Sequence, residues 1–320
     1  MAAETIVVSG FLGAGKTTLI QKLLGGVFVG EKVVLIENDF GEESVDAALL
    51  RPRGGNLTVR ELNSGCICCG LSGDFVKTVG EVSRRFRPDK IIVEPSGVGK
   101  LSDIIKAFAD PRVTSEATLA AAVTVADARR CRTHLDNFGE FFEDQIKNAD
   151  AVLLSRAGEF PGAVDGAREL IAEVNPRAVV YSEAWDALDA KELLRRASRL
   201  RSGAAHESAS DCDCDCHDCN HGGCGHAAGE VFDTVTVRTD KIFTVGDLQA
   251  CANQLERGAF GDVLRAKGIV RGEDGYVSLQ YLPGETRVTD CAAAGGMLCV
   301  IGKGLDGRAL VRLFGGEGCL

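Results

Sequence analysis

Nine consecutive residues, Gly10-Phe11-Leu12-Gly13-Ala14-Gly15-Lys16-Thr17-Thr18, constrain this chain more than any others. They follow the short apolar run Ile6-Val7-Val8 and precede an amphipathic segment from Leu19 to Leu24, so the local order is strand, glycine loop, helix. The stretch fits G-x-x-x-x-G-K-[ST], in which glycines let backbone N–H groups turn inward around the oxygens of a di- or triphosphate. Gly10, Gly13, Ala14 and Gly15 supply that backbone, and Thr18 continues it into the helix. The helix adds the positive end of its dipole, Lys16 a point charge for the terminal phosphates, and Thr17 a hydroxyl for Mg²⁺. A nucleoside triphosphate is the implied ligand, with Lys16 and Thr17 as the first catalytic candidates.

At 320 residues the chain is long enough for a well-buried core and about two domains. Its 36 basic and 46 acidic residues give a net charge of −10, a balance unsuited to nucleic acid or an anionic membrane. No apolar run approaches the roughly 20 residues of a membrane span, and the N-terminus enters the first strand without a leader, so the expectation is a cytoplasmic protein. Thirteen cysteines in a reducing compartment point to metal rather than disulfides. Eight of them cluster: Cys66, Cys68 and Cys69 in one knot, and Cys212, Cys214, Cys216, Cys219 and Cys224 in another.

Up to about Arg201, short apolar runs alternate with helix-like segments. That is the rhythm of a doubly wound, mainly parallel α/β sheet of the P-loop type. Strands are expected at Ile6 to Ser9, Val33 to Glu37, Ile91 to Glu94, Ala121 to Asp127, Ala151 to Leu154 and Ala178 to Tyr181, with helices at Asp74 to Phe86, Ser102 to Ala109, Val164 to Val174 and around Leu188 to Leu200. Ligands in such sheets bind at the carboxyl ends of the strands. The second strand ends in Glu37-Asn38-Asp39-Phe40-Gly41-Glu42, where Glu37 and Glu42 could contact Mg²⁺ or a second metal; an ordinary solvated loop is the competing reading. The third expected strand closes on Glu94-Pro95-Ser96-Gly97, which places a carboxylate for Mg²⁺ at Glu94 and an N–H for the γ-phosphate at Gly97.

Between these lies Gly65-Cys66-Ile67-Cys68-Cys69-Gly70. Thiolates suit Zn²⁺ and other soft ions, and three of them leave a tetrahedral ion one ligand short, which favours exchange over permanent structure. A redox pair or plain buried cysteines are the competing readings. From Arg201 to Gly229 periodicity and bulky apolar residues disappear, which predicts a flexible linker. It carries a candidate second ligand set, Cys212, Cys214, Cys216, His217, Cys219, His221, Cys224 and His226, with more donors than one tetrahedral ion needs; an inert linker is the competing reading. The expected division is therefore a nucleotide-binding domain over 1–200, a Cys/His-rich metal-binding linker over 201–229 and a smaller α+β domain over 230–320. In the last, strands are expected at Val231 to Arg238, Ile269 to Arg271, Tyr276 to Tyr281 and Leu298 to Ile301, and helices at Val245 to Arg257 and Asp306 to Phe314.

Taken in order, the phosphate loop, the Glu37 to Glu42 stretch, the C-x-C-C motif and Glu94-Pro95-Ser96-Gly97 resemble the CobW-like family of metal-handling P-loop GTPases, relatives of UreG and HypB. Arg265-Ala266-Lys267-Gly268 resembles the C-terminal domain of that family; its basic residues could meet phosphate or a client, or form a solvated turn. The resemblance implies GTP hydrolysis coupled to delivery of Zn²⁺, Co²⁺ or a similar ion to a client metalloprotein, with Cys66, Cys68 and Cys69 holding the ion. It also implies a guanine-reading N-K-x-D box, but the matching place holds Ser155-Arg156-Ala157-Gly158. Arg156 can cover a purine as the family lysine would, whereas Gly158 cannot accept the hydrogen bonds an aspartate accepts, so ATP remains open beside GTP. Two other functions stay open: a metal buffer or sensor gated by nucleotide, and an ATP-dependent kinase-like enzyme on a small molecule. The sequence also leaves a homodimer open.

Overall fold

The structure, a computed structural model, describes residues 2–37, 57–61, 71–207 and 231–319. These fall into two compact units, each with its own sheet. In the first, seven parallel strands lie in the order β3-β2-β4-β1-β5-β6-β7: β1 Ala3–Gly10, β2 Val33–Glu37, β3 Leu57–Glu61, β4 Lys90–Glu94, β5 Ala117–Asp127, β6 Ala151–Ser155 and β7 Val179–Tyr181. The central strands are near-continuous apolar runs because helices cover both faces. From β1 the chain winds outward through β2 and β3, returns by β4 beside β1, and then winds out the other way through β5, β6 and β7. The loop after β1 thus opens at the point where the winding reverses, the crevice such sheets offer to ligands.

Helices α1 Lys16–Lys22, α2 Leu71–Phe86, α3 Leu101–Phe108, α4 Pro111–Thr114, α5 Cys131–Lys147, α6 Val164–Val174 and α7 Ala190–Glu207 complete the unit. Strand β3 and helix α5 lie outside the sequence expectation. Strand β3 is a five-residue edge strand in which Leu and Val alternate with Thr, Arg and Glu. Helix α5 turns His134 and Gln145 inward beside Phe141, Phe142 and Ile146, and it is kinked at Phe138, so its apolar period is weak. The expected linker boundary at Arg201 is corrected. Helix α7 continues to Glu207, and Arg201 Nε donates to Asp150 Oδ2 at 2.9 Å, which fastens this last stretch to the start of β6. Asp150 also accepts from Ala122 N at 2.8 Å; burial raises its carboxyl pKa, and Arg201 opposes that.

The second unit is one sheet in the order β12-β11-β10-β13-β8-β14, formed by β8 Asp233–Arg238, β10 Asp262–Gly272, β11 Gly275–Leu282, β12 Glu285–Cys291, β13 Met297–Lys303 and β14 Glu317–Cys319. All these pairings are antiparallel, and the two-residue β9 Ile242–Phe243 joins β10 in parallel. Helices α8 Val245–Leu255 and α9 Gly307–Phe314 pack Leu248, Leu255, Leu310 and Phe314 against Val235, Val237, Val270 and Leu298. Thr244 and Asp247 close α8 with a reciprocal capping box, and Asp306 caps α9. The sequence Arg265 to Gly268 is not a solvated turn: it lies within β10, Lys267 is buried, and a Cβ on Gly268 would fall 2.2 Å from Met297 O.

Beneath the phosphate loop, Phe11 packs into a pocket of α5, 4.5 Å from the His134 ring centroid and 5.0 Å from that of Phe138. Burial, with Arg130 adding to it, pushes the His134 pKa from 6.5 down to about 4. The folded imidazole therefore stays neutral in a range where the unfolded one takes up a proton. Stability from this group is full above the unfolded pKa and is lost as pH falls towards the folded one. Between about pH 7 and about pH 5 the loss amounts to about 2 kcal/mol. Urea unfolding of the wild type and of His134→Phe at both pH values checks this: the variant should show a correspondingly smaller acid loss.

Candidate functional site

The loop between β1 and α1 depends on glycines at its tightest points. Gly10 has φ 142°, and a Cβ there would lie 2.2 Å from Val125 O on β5. Gly13 and Gly15 also have positive φ, at 69° and 104°, the left-handed region that L side chains avoid. Ala14 N donates to Phe11 O at 3.2 Å, which tightens the turn. Gly15 is the N-cap of α1 and offers no side chain to its first N–H groups, so those donors face the position of an anion. Thr17 is half-buried and Thr18 exposed in the first turn of the same helix.

Lys16 is buried, and its Nζ donates to Gly10 O at 3.1 Å and Phe11 O at 3.4 Å. It also lies 3.9 Å from Glu94 Oε1, at the end of β4. Glu94 stands directly beside Glu37 in the register of β4 against β2, and the two residues are 9% and 3% exposed. Two buried carboxylates next to a phosphate-binding loop would repel the phosphate oxygens unless a cation lay between them. Their hard oxygens, with the Thr17 hydroxyl, are the donor type that Mg²⁺ takes.

Gly97 follows on the β4 side. A Cβ there would lie 2.7 Å from Leu12 Cδ2 and 2.9 Å from Leu12 N, so this loop presses directly on the phosphate loop. Gln145 of α5, missed in the sequence, holds it in place: Nε2 donates to Gly97 O at 3.1 Å and Gly99 O at 2.9 Å. Helix α5 also bonds to the start of α3 through Asp144 Oδ1, which accepts from Ser102 N at 3.0 Å, and through the Lys100–Glu140 ion pair. No local motif marks Gln145; a glutamine on the inner face of a helix was the one available signal.

On the other side, Arg156 follows β6 with φ 58°, and its Nη1 lies 3.1 Å from Asp127 Oδ2 at the end of β5. Asp127 is buried, also faces Arg130 Nε at 3.8 Å, and accepts from Arg129 N through Oδ1 at 3.0 Å. The guanidinium expected to lie over a purine is thus held at this carboxylate. Gly158 has space: a Cβ there would meet Ala184 Cβ at 3.9 Å, an ordinary contact. The site brings together Gly10, Gly13, Ala14, Gly15, Lys16, Thr17, Glu37, Glu94 and Gly97. Glu42, Cys66, Cys68 and Cys69 lie outside the described residues, as do the linker ligands from Cys212 to His226. Among the described cysteines, Cys131, Cys251 and Cys299 are buried and burial raises their thiol pKa values, which marks them as core residues. Among the described residues, no helix is long and apolar enough to cross a membrane.

Three relatives are similar to this chain in sequence. A zinc chaperone CobW from a Sinorhizobium species is 36% identical over 47% of this chain and 49% of its own length. The zinc chaperone YjiA of Escherichia coli K12 is 31% identical over 55% of this chain and 56% of its own. A zinc-regulated GTPase metalloprotein activator 1 of Schizosaccharomyces pombe is 27% identical over 57% and 46%. The chain thus spans about half the length of the curated relatives it matches. Residues 4–182, from the start of β1 to just past β7, match the family model described as CobW/HypB/UreG, nucleotide-binding domain. With the phosphate loop, the paired strand-end carboxylates and the Gly97 loop all inside that match, the chain belongs to the CobW/HypB/UreG family.

Proposed function

We propose that this protein hydrolyses a nucleoside triphosphate, GTP in the first place, and couples the reaction to binding zinc or a similar ion and passing it to a client metalloprotein. The observation that carries the reading is the placement of Lys16, Glu94 and Glu37 around one glycine-built loop. The relatives, named zinc chaperones and a zinc-regulated GTPase metalloprotein activator, support the metal half.

In this reading Lys16 exchanges its bonds to Gly10 O and Phe11 O for the terminal phosphate oxygens. The N–H groups of the loop and of the first turn of α1 surround the remaining oxygens. Catalysis is then positioning and charge stabilisation, with no covalent step on the protein. The Thr17 hydroxyl and the Glu94 and Glu37 carboxylates would hold Mg²⁺, which would supply charge neutralisation for the phosphates. Gly97 meets the γ-phosphate, and its loss is relayed through the Gln145 clasp to α5 and α3. The ion is carried as cargo by Cys66, Cys68 and Cys69, which follow β3 in the chain, while the Cys/His tract holds further ions in reserve.

Lys16→Ala should abolish measurable triphosphate turnover without unfolding the protein, as followed by phosphate release and circular dichroism. Turnover at the wild-type rate would remove the loop from the reaction. The discrimination between GTP and ATP should be weak for the family, because Gly158 offers no carboxylate to guanine. Since the position has room for a side chain, Gly158→Asp should raise the GTP-to-ATP affinity ratio by about tenfold or more in competition binding.

Zinc titration of a protein lacking residues 208–229 tests the coupling. One zinc ion should bind with affinities about tenfold apart in GDP and in a non-hydrolysable triphosphate, and binding should vanish when Cys66, Cys68 and Cys69 are all changed to serine. Equal affinities in the two nucleotides would leave metal buffering by the Cys/His tract as the better account.

A further inference from the structure

The chain contains one tryptophan, Trp185, and it lies at the phosphate loop. A Cβ placed on Gly15 would meet Trp185 Cζ2 at 3.2 Å and Cη2 at 3.9 Å, with Ser155 Cβ at 3.7 Å. The indole therefore leans over the residue that starts α1, next to the end of β6. Its own position is fixed by a tight turn after β7, in which Ala187 N and Leu188 N donate to Ala184 O at 2.9 and 3.0 Å and Leu188 is buried. Trp185 is half-buried, so part of its ring is accessible.

Direction along the nucleotide follows from charge. The γ-phosphate end belongs on the β4 side, where Lys16 approaches Glu94 and Gly97 presses on Leu12. The nucleoside must then leave the loop on the opposite side, where the segments after β6 and β7 meet at Gly15, Ser155, Gly158 and Ala184. Two groups that could read a base there are absent or committed elsewhere. Gly158 has no side chain, and the Arg156 guanidinium is held by Asp127. Trp185 offers what remains, a broad π face.

Resting on the nucleotide-binding reading above, we propose that Trp185 is the base platform of this site, binding a purine nucleotide by stacking in place of a carboxylate. Every purine has a π face, so such a platform holds guanine and adenine alike, and Gly158 adds no side chain that would choose between them. Stacking on an aromatic ring also quenches indole emission, and here the whole tryptophan signal comes from one residue.

The test uses the full-length protein with Mg²⁺. GDP and ADP should each quench the emission saturably, whereas inorganic tripolyphosphate should bind without comparable quenching. By calorimetry, Trp185→Leu should weaken both nucleotides by roughly tenfold or more and leave tripolyphosphate affinity within about twofold, while Trp185→Phe restores most of the loss. Equal weakening of tripolyphosphate and nucleotide would overturn the proposal and assign Trp185 to support of the loop. Unchanged nucleotide affinity in Trp185→Leu would overturn it as well, with the phosphate site intact. If the wild type bound neither tripolyphosphate nor nucleotide, the phosphate-loop reading itself would fall and the platform with it.

Discussion

Close approach of backbones is the constraint on which the nucleotide unit depends. The end of β1 runs so near β5 that Gly10 has no space for a Cβ, and the loop after β4 lies so near Leu12 that Gly97 has none either. The phosphate loop is thereby clamped from both sides, while Phe11 anchors it from below among His134, Phe138 and Phe142. A loop that must present bare N–H groups to an anion gains its rigidity from neighbours, because its own glycines supply no packing.

Charge then divides the carboxyl edge of the sheet into two halves. Lys16, Glu94 and Glu37 form one, Asp127, Arg156 and Arg130 the other. Burial makes each charge dependent on its partners, since water is not there to solvate it. The first half suits a phosphate chain and a hard cation. The second spends its cations on Asp127, which leaves a neutral aromatic face for the base.

Gln145 connects this edge to the helical layer. A single side-chain amide takes two carbonyls of the Gly97 loop, and its own backbone carbonyl accepts from Thr124 Oγ1 at 2.6 Å on β5. A movement of the Gly97 loop must break these bonds or carry α5 with it. The second unit has its own continuous core between its sheet and two capped helices.

The phosphate loop, six of the seven parallel strands and the carboxylate at Glu94 were legible in the sequence, because each is written in consecutive residues: a glycine pattern, an apolar run, an acid closing a strand. The same holds for α8 and α9, whose apolar faces and caps are local. Strand β3 was not legible because, at the sheet edge, it alternates Leu and Val with Thr and Arg instead of repeating the apolar runs of the central strands, and helix α5 because an inward-facing His134 and Gln145 blur its apolar period. Nor did composition reveal that α7 continues past Arg201, a residue kept in place by Asp150 far back in the chain. The sequence by itself determined what chemistry the loop could perform. Only the tertiary structure decided that Glu37 stands beside Glu94, that Gln145 clasps the Gly97 loop and that Trp185 lies over Gly15, because these partners are distant in the chain and meet only when parallel strands bring their carboxyl ends to one edge.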